Sequence, residues 1–592
     1  MRLTAFVLVL VLTMAGCSGN PGSTSHSTHS NPSVISSTGS RAATDSAAPA
    51  HAAPGHAAPT GSSMSTGPSG TVAPTVSAIP CAPAAPPATM ANPTIGPDGT
   101  LRMNIPILVV LVGFPAETKG QLQAVLPAYD FTRTHPDYDL PHGLQPMVPS
   151  VVHEVRDLSP ERAQEFFDAL VPFDGEDPAV LDGNLAEQAL AATLRCAGIP
   201  LRLELPTFAL VHLGEERVGD HGYAYRSEGG PESKANGLGL TGIRTFGGAE
   251  PLLILDTSAS QDPDSYYGYG GRSHERPIEL SDPSLITVLH DAVQSATDHR
   301  LIHSLAGRVT LAPCNSFTVV VGRSAGALEA EQTLLRPDRL AAAFRDVSGL
   351  PAYVHAVEVD LPADDPALDA LIRMTSAAFL TLQGPDYAGQ LGVPAPQEPT
   401  RTVAGQSIGA AAMAFGQWVD VVWDSYVVVD DGCMPHLAFM VVTDPVSNPF
   451  GWGFAPTSPA GHSFVVGARG LLVQDTVVNS GSGNFGAAGF DSLVSHEFGH
   501  SLGLNHAQNA WNGAEDDYSF ASDRDVMSYR WGTTVLHGAF DKAILMRARA
   551  AEAVQEAAIT GTLATPEGAA ALKALESWDW RGAAHALLDE AS

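Results

Sequence analysis

Residues 495–506 run Ser495-His496-Glu497-Phe498-Gly499-His500-Ser501-Leu502-Gly503-Leu504-Asn505-His506. This is H-E-x-x-H-x-x-G-x-x-H with every specified position filled. On a helix, four residues turn the chain by roughly 400°, so His496 and His500 share one face a turn apart. Two imidazoles at that spacing can grip one Zn²⁺ from the same side. Gly503 can take a positive φ without steric cost, ending the helix and letting His506 approach as a third nitrogen ligand. Three protein ligands leave a fourth position for water, the mark of a catalytic rather than a structural zinc. Glu497 projects roughly 100° around the helix from His496, where a carboxylate acts as general base towards that water.

With these residues the chain resembles the metzincin metallopeptidases, whose zinc motif is followed by a Met-turn. The matching segment is Asp525-Val526-Met527-Ser528-Tyr529-Arg530. The resemblance implies that Met527 forms an apolar floor beneath the imidazoles without binding the metal. It implies that Tyr529 stands beside the zinc and steadies the oxyanion, as in astacin-like and serralysin-like members. Ala507, after the third histidine, matches no subfamily pattern, so the subfamily stays open. The likeness covers about residues 490 to 530.

Those elements sit in a chain of 592 residues, 44% hydrophobic and 16% charged, with a formal net charge of −32. That acidity argues against nucleic acid or anionic lipid as a charge-driven partner. Residues 1–16 read as an export signal: Arg2 begins it, Ala5 to Leu12 form an apolar run too short to span a bilayer, and Thr13-Met14-Ala15-Gly16-Cys17 resembles a bacterial lipobox. Lipidation of Cys17 would anchor the protein to the membrane on its extracytoplasmic side; the alternative is cleavage and secretion. Of five cysteines, Cys81, Cys196, Cys314 and Cys433 then remain, an even set with three possible pairings in an oxidising compartment. Residues 17–98 are rich in Ser, Thr, Pro and Ala and bury too little surface to offset ordering entropy, which predicts a disordered tether.

Residues 99–345 read as an α/β-type region of unassigned role. The run Ile105 to Phe114 suits a buried strand, Leu285 to Ala296 a helix, and Arg308 to Val321 an extended segment. This region stands either as an accessory domain or as the source of the first strand of the catalytic sheet. The stretch 220–282 is Gly-, Ser- and Asp-rich; its acidic residues could meet a structural Ca²⁺, but no EF-hand loop supports one. No internal repeat is evident. Residues 346–560 are the expected catalytic domain, with strands at 352–359 and 436–442, and Ser463 to Val478 as the edge that pairs with substrate. A helix from Phe540 to Ala557 closes it, and 561–592 form a helical appendage. Asp491 is positioned to cap the active-site helix.

The expected fold class is therefore α+β: a metzincin-like zinc peptidase domain with a mixed sheet, an active-site helix and a C-terminal helix, preceded by the unassigned region and the tether. The expected activity is that of an endopeptidase with one catalytic Zn²⁺ on His496, His500 and His506, acting on a protein or peptide. Two alternatives use the same residues, a zinc amidase on non-protein or modified substrates and a non-catalytic zinc-binding adhesion lipoprotein. The intact general base Glu497 disfavours the last.

Overall fold

The computed structural model describes residues 91–130, 146–173, 177–224, 245–260, 277–301, 311–323, 335–360, 426–428, 430, 432–443, 452–454, 462–468, 490–502, 504, 525–527 and 536–588. The signal, Cys17 and nearly all of the expected tether lie outside that set, as do His506, Tyr529 and the residues 367–382 expected to be helical.

The apolar run at 105–114 becomes the middle of a long strand, β2 (Leu101–Val112), preceded by β1 (Thr94–Ile95). Side chains alternate along a strand, so Ile105, Ile107, Val109 and Leu111 enter one core while Leu108, Val110 and Val112 enter another. Burial on both faces explains why the run is continuously apolar rather than alternating. After it come α1 (Ala116–Val125), β3 (Tyr129–Asp130), β4 (Met147–Asp157), α2 (Pro160–Asp168), β5 (Val180–Asp182) and α3 (Gly183–Cys196). The chain continues through β6 (Thr207–Val211), β7 (Gly222–Ala224), β8 (Thr245–Gly247), β9 (Leu252–Asp256) and α4 (Leu285–Ala296). The stretch 220–282 holds, among its described residues, β7, β8 and β9, the last over the strand that its sequence suggests at 251–255.

The first sheet has the order β3-β4-β2-β6-β9-β8. Its centre, β4-β2-β6-β9, is parallel, while β3 and β8 add antiparallel edges and β1 pairs antiparallel with β2. Helices α1 and α4 cover one face and α2 and α3 the other. Gly113, φ +82°, ends β2 where an added Cβ would lie 2.1 Å from the carbonyl oxygen of His212. Only glycine permits that approach of the chain leaving β2 to the chain leaving β6.

The second sheet is built from β10 (Asn315–Arg323), β11 (Ala352–Asp360), β12 (Met434–Thr443), β13 (Trp452–Phe454) and β14 (His462–Ala468), with α5 (Pro337–Ser348) between the first two strands. Its order is β11-β10-β12-β14-β13, parallel except for β13. Strand β10 sits between β11 and β12, so this sheet takes strands from both sides of the boundary drawn at 345. The expected edge also needs correcting. Among the described residues His462–Ala468 is flanked by β12 and β13, so the outermost strand is the three-residue β13; the remainder of the expected edge, 469–478, lies outside them. A disulfide joins Cys314 to Cys433 at the starts of β10 and β12, and Cys196 is disulfide-bonded as well.

Helix α6 (Phe490–Ser501) carries the H-E-x-x-H residues; α7 (Ala539–Thr560), α8 (Pro566–Leu575) and α9 (Trp580–Leu588) complete the chain. Helix α7 serves both cores: Ile544 and Leu545 enter the second, and Phe540, Ala550, Ala551 and Val554 the first. Arg547 donates to the carbonyl of Leu301 at 3.0 Å and Arg549 to that of Ala312 at 3.0 Å. The residues predicted as an appendage return to the first sheet, where Leu575, Trp578 and Trp580 are buried and Trp578 Nε1 donates to Asn104 O. The architecture of the described residues is thus mixed, with helices packed on two mixed sheets and a small parallel pair of β5 with β7.

Candidate functional site

Helix α6 is held in place by aromatic packing. Phe498 is fully buried and meets Phe317 of β10 edge-on at 4.7 Å and Phe344 of α5 at 5.4 Å. Val494, one turn earlier, enters the same core. Side chains at these spacings share a face, which fixes the rotation of the helix about its axis. Asp491 does not serve as a simple N-cap: it lies within α6, and its carboxylate accepts from Arg336 N at 2.6 Å and Arg336 Nε at 2.7 Å, tying α6 to the start of α5. Burial pushes Asp491 up to about pH 6, against the opposing hydrogen bonds and charge of Arg336.

His496 is buried, and its Nδ1 lies 2.7 Å from the carbonyl oxygen of Val526. A carbonyl only accepts, so Nδ1 carries the proton and Nε2 carries the lone pair of the neutral ring. That is the tautomer of a histidine that ligates through Nε2 while its other nitrogen is oriented by the backbone. The donor set His496, His500 and His506 therefore suits Zn²⁺ at the one ring where the hydrogen bonding can be read. His500 follows His496 by one helical turn and Glu497 by three residues on α6.

Val526 belongs to the segment in which the sequence places a Met-turn, and 525–527 do run against α6. Met527 is fully buried, and Asp525 Oδ1 accepts from its amide at 2.9 Å. A Cβ added at Gly499 would lie 2.3 Å from Met527 Sδ, 3.2 Å from Met527 Cε and 3.0 Å from His537 Cε1. The glycine inside H-E-F-G-H is thus where the methionine passes closest to the helix. Met527 thus lies against α6 at Gly499, and its neighbour Val526 meets His496.

Residues that sequence reasoning missed lie beneath the same helix. Ser495 Oγ is 3.3 Å from His537 Nε2, and His537 Nδ1 is 3.6 Å from Asp541 Oδ2. Asp525, His537 and Asp541 are all buried, with one donor atom of each within 4.8 Å of the others, a group that could hold a metal ion. The sequence signal was a histidine four residues ahead of an aspartate at the start of α7, a spacing too common to single out.

Compared with protein-family models, with curated proteins and with solved structures, the chain matches none.

Proposed function

We propose that the protein is a zinc-dependent endopeptidase of metzincin type, with His496, His500 and His506 as metal ligands and Glu497 as general base. The observation that carries this reading is the His496 Nδ1 contact to Val526 O, which fixes the ligating tautomer and does so from the Met-turn itself. Zinc bound there would polarise the scissile carbonyl and lower the pKa of a coordinated water towards 7. Glu497 takes the proton of the attacking water and returns it to the leaving amine. Tyr529, two residues beyond Met527, donates to the developing oxyanion. Met527 and Gly499 keep the floor under His496 rigid. Among the described residues β13 is the outermost strand of its sheet, where an extended peptide would add by ordinary strand addition. On this reading the lipobox-like Cys17 would carry the lipid anchor that holds the protein outside the cytoplasm, with cleavage and secretion as the alternative.

The test is cleavage of an unbiased peptide library by wild type and by Glu497→Ala, with metal content measured on both. Cuts that vanish in Glu497→Ala while zinc is retained support the assignment. A zinc-loaded wild type that cuts nothing, or a variant that cuts equally well, refutes it.

A further inference from the structure

The two sheets repeat one topology. In the first, the strand opening the parallel core (β2) lies between the second (β4) and third (β6), the last parallel strand (β9) lies beyond the third, and a three-residue antiparallel strand (β8) forms the edge. In the second, β10, β11, β12, β14 and β13 occupy the same places in the same order. In each, the antiparallel edge strand comes just before the last parallel strand in sequence. Among the described residues of each, one helix links the first two parallel strands (α1, α5) and another follows the last (α4, α6), both in the core of that sheet.

The helices that correspond are α4 and α6, and their sequences align without a gap. Leu289-His290-Asp291-Ala292-Val293-Gln294-Ser295 matches Ser495-His496-Glu497-Phe498-Gly499-His500-Ser501. Leu289, Ala292 and Val293 are buried as Ser495, Phe498 and Gly499 are, whereas His290 is half-exposed and His496 buried. Strands β4 and β11 also share Val-His-x-Val, at Val152 to Val155 and Val354 to Val357. The loops between do not repeat, which hides the relation from the sequence read end to end.

The decisive difference is Gln294, at the place of His500. Its amide nitrogen donates to Tyr129 Oη at 3.0 Å and to Asp298 Oδ2 at 2.8 Å, while Tyr129 donates to Asp298 Oδ1. Glutamine could offer a metal only its amide oxygen, a hard donor unlike the imidazole nitrogen that suits Zn²⁺, and its amide nitrogen here is committed to a hydrogen-bonded lock. We infer that the chain is a tandem of two copies of one fold, and that the first copy, residues 94–301, is chemically silent because the lock of Tyr129, Gln294 and Asp298 replaces its second metal-binding histidine. The first half is then neither a separate recruiting domain nor a second peptidase. It is a twin that supplies the platform on which α7 packs.

The contrast between silent and active copies rests on the zinc reading of the second half; the duplication does not. Zinc content, peptide cleavage and unfolding should be measured on the full chain as wild type, His500→Gln, His290→Ala and Gln294→Ala. The inference expects one zinc per chain in wild type, none in His500→Gln, and unchanged zinc and cleavage in His290→Ala, whose ring is partly exposed. Gln294→Ala should keep zinc and lose thermal stability. One zinc surviving in His500→Gln and lost on adding His290→Ala would overturn the silence of the first copy. A wild type without zinc would refute the peptidase reading and leave the duplication to an experimental structure, in which a different strand order in either sheet would overturn it.

Discussion

Alanine at Gly499 would set a methyl carbon 2.3 Å from Met527 Sδ, where ordinary contact needs about 3.5–4.0 Å. Met527 is fully buried and His537 closes the other side at 3.0 Å, so the sulfur has to retreat by more than about 1 Å into packed core. Overpacking of this kind costs about 1–3 kcal/mol. The greater helix propensity of alanine returns about 1 kcal/mol, leaving an expected net loss of about 0–2 kcal/mol. Shifting Met527 also shifts Val526 O, the acceptor that orients His496, so kcat/KM should fall on the order of 10- to 100-fold. Urea unfolding and peptide cleavage read the two effects. The sharper assay is a double-mutant cycle. Met527→Ala alone should cost about 2–5 kcal/mol, and the methyl of Gly499→Ala would occupy part of the space it leaves. The pair should therefore be more stable than the sum of the singles by at least about 0.5 kcal/mol. Strict additivity, or a Gly499→Ala protein stabilised by its propensity alone with full activity, would refute the packing argument.

Three further outcomes follow from the same geometry. Asp491, raised to about 6 when folded, lies above its unfolded value near 3.9, so its contribution to stability is complete below about pH 4 and is lost as pH rises through 6. The stability of wild type relative to Asp491→Asn should fall across that window by up to about 1.4 kcal/mol per pH unit, and parallel urea-unfolding curves at pH 4 to 7 would contradict it. The Cys314–Cys433 bridge spans 119 residues, so replacing both cysteines with alanine should destabilise the chain by about 3–5 kcal/mol; an unchanged midpoint in reductant argues otherwise. Ending the chain after Thr560 strips Leu575, Trp578 and Trp580 from the first core, and amide exchange in β2 should accelerate while the disulfide-bonded second sheet is affected less.

Much of this was legible because it is local. The interval Leu285 to Ala296 is the helix that its spacing predicts, and the buried strand at 105–114 announces itself by β-branched, two-faced apolarity. The H-E-x-x-H residues lie on the helix that their period predicts. What was not legible depends on partners distant in sequence. Strand β13 is three residues long, too short for any period, yet it takes the edge from His462–Ala468. Nothing in Asn315–Arg323 says that its neighbours are β11 and β12, because a parallel strand buried on both faces reads alike in any sheet. Asp491 looked like a cap because caps are local; its long-range grip on Arg336 is set by how α5 and α6 cross. The Asp525, His537 and Asp541 group is assembled from two segments that meet only under α6.

Helix α7 gives the molecule an order of completion. It contributes to both cores, and Arg547 and Arg549 fasten the chain on either side of the passage from one sheet to the next, at Leu301 and Ala312. These residues leave the ribosome after both sheets and after the zinc motif. Until they arrive, Leu101 to Leu111 and Phe317 to Val321 each lack part of their cover. A chain broken off before Ala539 therefore holds every residue of the H-E-x-x-H helix yet closes neither core. Closure of both cores thus waits on one helix near the end of the reading frame.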